Sequence, residues 1–131
     1  MATYYVNSGA GGANTGGSWT DAFLTFAQGV SAATASGDVI KVHYTHTEEL
    51  AATATYTFAN HVAAISVDKD SSDALTPMGA GAWIGNSTTT RGVTIAGAFR
   101  TMLHGLTFRI AGTGSTSLAL LGTAGQHTVY E

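Results

Sequence analysis

Apolar and polar positions alternate in short runs along most of this chain, and the runs are closed by Gly, Ser, Thr and Asn. Thr3 to Val6 is a brief β-prone stretch that ends at Asn7-Ser8-Gly9 and opens into a loop of Gly, Ala, Asn and Thr reaching Gly17. From Ser18 the period changes. Trp19, Phe23, Phe26, Ala27, Val30 and Ala33 recur at spacings of three and four, which predicts an amphipathic helix over 18–36, with Ser18 and Asp21 as its capping pair. Trp19, Phe23 and Phe26 are assigned to the core. Beyond Gly37-Asp38 the helical period is lost. Val39 to Tyr44, Thr55 to Phe58, Ala64 to Val67, Gly92 to Ile95, Met102 to Ile110, Leu118 to Leu121 and Thr128 to Tyr130 all have strand length and strand composition. The stretch 68–90 holds the only proline, Pro77, and the run Gly79-Ala80-Gly81, and reads as a loop inserted between strands.

The chain has 131 residues, a size that fits one domain able to bury a core, here taken as 1–131 with strand and Gly-rich loop in 1–17, capping helix in 18–36 and strands over 38–131. Composition sharpens this picture. Ala, Thr, Gly and Ser together exceed half of the residues and only 10% are charged, against about 25% in an average globular protein. Small and β-branched residues with little Lys, Glu or Arg favour short strands and tight turns over a helix bundle, so the fold class is mainly β. A net charge of −3 and five scattered basic residues (Lys41, Lys69, Arg91, Arg100, Arg109) argue against nucleic acid as a partner. No cysteine is present, which removes disulfides and thiolate chemistry. The opening Met-Ala-Thr-Tyr-Tyr-Val has neither a basic nor an apolar leader region, and no apolar run reaches membrane-span length; neither export nor a membrane partner is expected.

Each cluster with chemical potential has a plainer alternative. His43 and His46 stand near Glu48 and Glu49, but residues three apart on a strand face opposite ways, so a solvated strand end is preferred to a metal site. Asp68, Asp70 and Asp73 lack the Gly and Glu of a calcium loop and read as a surface turn. The Gly9 to Gly17 segment completes neither GxGxxG, which fails at Asn14, nor a P-loop, and reads as a flexible connector. From Gly92 to Tyr130 there is no Asp or Glu, which disfavours acid–base hydrolysis within one subunit and leaves open only a site shared between subunits through Asp68 or Glu48. Asn86-Ser87-Thr88 is a glycosylation sequon read as a turn. The expectation is therefore no catalytic residue, no metal and no cofactor. Tyr4, Tyr5, Trp83, Ile84 and Tyr130 remain as candidate partner-binding residues, with Trp83 foremost as an aromatic flanked by small residues that either anchors in another subunit or folds back to cover its own fold. His127 to Glu131 reads as a strand whose edge invites pairing with another copy or with further sequence.

Several phrases resemble a known family. Tyr4-Tyr5-Val6-Asn7, the Gly-rich loop, Gly17-Ser18-Trp19-Thr20-Asp21-Ala22-Phe23 and Gly37-Asp38-Val39-Ile40-Lys41-Val42 look like the start of right-handed parallel β-helix proteins, in which a helix caps the first coil. Gly92-Val93-Thr94-Ile95-Ala96-Gly97 and Leu103-His104-Gly105-Leu106-Thr107-Phe108 resemble the rungs of such solenoids. The low-charge, Ala/Thr/Gly-rich form is similar to structural proteins of tailed bacteriophages. That resemblance implies a short right-handed parallel β-helix with an N-terminal capping helix, acting without catalysis as a virion component. A capsid decoration or cement protein, trimeric and bound to the major capsid protein or another virion protein, is the first expectation. A tail fibre or tailspike domain that binds, and in a longer protein cleaves, host polysaccharide is the alternative.

Overall fold

The computed structural model describes residues 1–69, 72–77, 81–97, 100–111, 118–121 and 127–130, with the backbone alone described at 88–90, 111, 118–121 and 127–130. The chain is mainly β, with one short helix. In order it forms β1 (Thr3–Val6), α1 (Phe26–Ala32), β2 (Val39–His43), β3 (Thr47–Glu49), β4 (Ala54–Phe58), β5 (Val62–Asp68), β6 (Ala74–Leu75), β7 (Trp83–Thr90), β8 (Val93–Gly97), β9 (Thr101–His104), β10 (Thr107–Ala111), β11 (Leu118–Leu121) and β12 (His127–Tyr130). These strands make three sheets. The first runs β1-β2-β5-β9-β12, the second β3-β7-β10 and the third β4-β8-β11, and every pairing is parallel except that of β6 with β5. From β2 onward, and leaving β6 aside, consecutive strands visit the first, second and third sheet in turn and then return to the first.

Parallel pairing aligns like positions from strand to strand, so each face of a sheet becomes a row of one residue per strand. In the first sheet Tyr4, Ile40, Ala64 and Leu103 share a row, and the last three are buried. The second sheet aligns Glu48, Ile84 and Phe108, and the third aligns Tyr56 with Ile95. The core cluster draws on all three sheets and on α1, whose Phe26 ring lies 5.0 Å from Tyr56, 6.5 Å from Phe58 and 6.3 Å from Phe108.

The helix is shorter than its periodicity predicts. Residues 18–25 are not helical because their backbone groups are engaged elsewhere: the N–H of Phe23 donates to the Tyr5 carbonyl, and the N–H of Asn7 donates to the Phe23 carbonyl. Phe23 thereby lies beside Val6 as an extra parallel bridge. Asp21 accepts hydrogen bonds from the Ala13 N–H and the Ser18 hydroxyl, so this pair closes the Gly-rich loop and does not cap a helix. The cap is Thr25, in a reciprocal capping box with Gln28.

Two loop assignments also change. Residues 83–90 are β7, the central strand of the second sheet, so the insertion after β5 ends before Trp83. The Gly-rich segment is pinned: the Thr15 and Gly16 N–H groups donate to the Asp21 carbonyl and the Leu24 N–H donates to the Asn14 side chain. At Gly16, with φ +73°, the space a side chain would need is filled by the Phe23 ring. Of the predicted strands, 118–121 and 127–130 pair in parallel with β8 and β9.

Candidate functional site

Charged side chains are few, and the fold engages most of those it describes. Five carboxylates each accept two hydrogen bonds from the chain. Asp21 takes the Ala13 N–H and the Ser18 hydroxyl; Asp38 takes the N–H groups of Ala2 at 2.7 Å and Ala35 at 2.9 Å. Glu48 takes the first helical N–H, of Phe26, at 2.7 Å and the His46 ring at 3.2 Å; Glu49 takes the N–H and hydroxyl of Ser87. Asp73 takes the Trp19 indole N–H at 2.9 Å and the Lys41 ammonium at 2.7 Å. The backbone N–H groups of Ala2 and Ala35 hold the Asp38 carboxyl below the usual carboxylate range. Burial would raise Asp73, but the hydrogen bonds from Lys41 and Trp19 outweigh it and its acidity also increases.

His43 and His46 are both buried, contrary to the solvated strand end expected from sequence. Trp19 lies across His43 with ring centroids 5.5 Å apart, while Nδ1 of His46 accepts the Ser8 backbone N–H at 2.9 Å and Nε2 is left to donate to Glu48. His46 is therefore the Nε2–H tautomer, tying the loop after β1 to β3 and α1. Among the described residues no group of three or more His, Asp and Glu side chains is placed to hold a metal ion. Asp70 lies outside the described residues. Tyr56 has a buried hydroxyl with no hydrogen-bond partner among the described residues; burial, with the charge of Glu48, pushes this phenol well above its ordinary value and keeps it neutral. A cleft of about 340 Å³ opens where β2, β5 and β9 begin, but its one carboxylate is the already engaged Asp38.

The partner-binding candidates separate. Ile84 is 0% exposed and belongs to the core, because it occupies the inward row between Glu48 and Phe108. Tyr4 also faces inward, stacked on Phe23. Tyr5 is on the outer face of the first sheet, where Trp19 packs edge-on at 4.8 Å and Lys41 lies 5.9 Å from its centroid. Tyr5, Lys41, Ile65, His104 and Tyr130 share one register row, although the Tyr130 side chain lies outside the described residues. Trp83 is half-buried on the outer face of the second sheet, beneath Arg109, whose guanidinium carbon lies 4.8 Å from the indole centroid. Arg109 is a basic residue of the sequence but not one of its partner-binding candidates. Its place in the alternating run Thr107-Phe108-Arg109-Ile110 marks it as outward-facing, but its partner Trp83 is visible only through strand register. Asn86 of the sequon is 3% exposed and donates to the Leu50 carbonyl at 3.1 Å; it is a buried strand residue and not a surface turn.

No family model, no curated protein and no solved structure matches this chain.

Proposed function

We propose that the three parallel sheets wind as a short right-handed parallel β-helix and that the protein is a non-enzymatic component of a tailed-bacteriophage virion, a capsid decoration or cement protein. It acts as a trimer on the major capsid protein or another virion protein. The fold side of this reading is supported by strands that step through the three sheets in a fixed order. The observation that carries the functional side is the division of labour among polar groups. Five of the eight carboxylates are bound to the chain itself, two bonds each, while the Trp83–Arg109 pair is displayed outward. Acid–base chemistry needs a carboxylate or imidazole free to exchange protons with a substrate, whereas docking needs a fixed aromatic and cationic surface. No helix among the described residues is long and apolar enough to cross a membrane.

Quantitative mass spectrometry of purified particles tests the reading. Copies of this chain near stoichiometric with the major capsid protein are expected. A few copies per particle would move the assignment to a tail fibre or tailspike that recognises polysaccharide, and absence would overturn the virion role. Trp83→Ala should weaken rebinding to depleted particles by at least about tenfold, the scale of a hot-spot aromatic.

A further inference from the structure

The outer face of the β3-β7-β10 sheet carries a cation with no ion-pair partner among the described residues. Arg109 is exposed, and among the described residues no carboxylate lies within ion-pair distance of it. Lys41 contrasts with it, since that ammonium is closed onto Asp73. Arg109 is nonetheless held in place, with its guanidinium 4.8 Å from the Trp83 centroid. Stacking uses the face of a planar guanidinium and leaves the N–H groups along its edge available for in-plane, bidentate recognition of a carboxylate.

The neighbouring positions keep this edge open. Gly85 is in register with Arg109 on one side and Glu49 on the other, so the central position of that row has no side chain. A Cβ at Gly85 would collide with the Arg109 backbone, which makes the gap a consequence of how closely β7 and β10 approach. Glu49, across the gap, is turned to Ser87, accepting from its N–H at 2.9 Å and its hydroxyl at 3.0 Å.

We infer that Arg109, stacked on Trp83, is the anchor for an acidic segment of a partner protein, with the guanidinium edge gripping a carboxylate and the indole supplying the apolar contact. This inference rests on the reading of the protein as one that docks on another protein. Among the described residues a second copy of the chain fits poorly as the source of the carboxylate, because Asp21, Asp38, Glu48, Glu49 and Asp73 each already accept two hydrogen bonds and Asp68 is also engaged, while Asp70 and Glu131 lie outside the described residues. The occupant inferred is accordingly a different chain with Asp or Glu at its contact surface. The net charge of −3 repels acidic chains at long range, so capture depends on this local geometry and not on a diffuse basic surface.

The full chain should be tested on immobilised poly-L-glutamate at neutral pH and low salt, with poly-L-glutamine and dextran sulfate as parallel surfaces. Binding to poly-L-glutamate alone is expected. Arg109→Gln should lose at least about tenfold and Arg109→Lys most of the same, since an ammonium lacks the planar fork, while Arg100→Gln should bind as the parent does. Arg109 is exposed, so an unchanged melting curve will confirm that its variants fold. The inference is overturned if the parent does not bind, if Arg109→Gln binds equally, if Arg100→Gln loses as much, or if dextran sulfate is preferred, which would indicate a sulfated polysaccharide. Selective poly-L-glutamate binding by a chain absent from particles would keep the anchor and remove the virion role. A chain abundant in particles whose Arg109→Gln variant binds poly-L-glutamate undiminished would do the reverse.

Discussion

Asp38 is a buried charge that ties two separate segments of the chain. Its carboxylate is 2% exposed, and its two oxygens hold the N–H of Ala2, at the entry to β1, and that of Ala35, after the exit of α1. The N-terminal ammonium lies 3.9 Å away but is 79% exposed, so it adds little. Because both backbone donors favour the ionised form, the folded-state pKa lies below that of the unfolded chain. An unfolded chain then binds more protons at acidic pH, so the contribution of Asp38 is complete above the ordinary Asp value of about 4 and is lost as pH falls through the folded value. Asp38→Asn should lower the denaturation midpoint at neutral pH and flatten its fall on acidification. Midpoints measured across the acid range check this, and a variant that keeps the parent's acid slope would show that another carboxylate controls it.

At the scale of elements, the helix shows which sequence signals hold in the fold. Trp19, Phe23 and Phe26 have the spacing of a helical stripe, yet Trp19 lies against Tyr5 and His43 on the outside of the first sheet and Phe23 bridges to Val6. Spacing alone does not tell a helix face from an extended segment that places aromatics on two surfaces. The better signal was already present: Thr25 and Gln28 form the S/T-x-x-E/Q box, which Ser18 and Asp21 only approximate. Val39–His43 and Val93–Gly97 were legible because buried Ile40, Val42, Val93 and Ile95 alternate with less buried neighbours. β7 was not, because only Ile84 is a large apolar residue in the inward row and the next inward position is Asn86, satisfied by the Leu50 carbonyl. Thr25→Ala should cost about 1 kcal/mol in denaturant unfolding and Thr25→Ser much less, as expected of a cap whose oxygen accepts the Gln28 N–H. Equal losses in the two variants would mean that the threonine methyl, and not the hydroxyl, is what matters.

For the whole molecule, the consequence of three sheets sharing one core is that the helix and the strands do not have separate stabilities. Phe26 is the joint. It is 0% exposed, its N–H is held by Glu48 of β3, and its ring meets Tyr56 and Phe58 of β4 and Phe108 of β10. Gly29, one turn further on, lets α1 approach the first sheet so closely that a Cβ there would sit 2.8 Å from Val6 and 3.1 Å from Ile40. Removing the ring should leave a cavity that no single sheet can close, at a cost of about 3–5 kcal/mol, a large part of the roughly 5–15 kcal/mol that holds a domain together. Phe26→Leu keeps most of the volume and should lose less. The decisive readout is cooperativity. Trp83 sits on the outer face of the second sheet, so with Trp19 replaced by Phe its fluorescence reports the strands while far-ultraviolet dichroism reports overall secondary structure. In Phe26→Ala both signals should shift to the same lower denaturant midpoint. A dichroism change that left the Trp83 transition where it was would mean that α1 is an accessory cover and that the parallel sheets are stable without it.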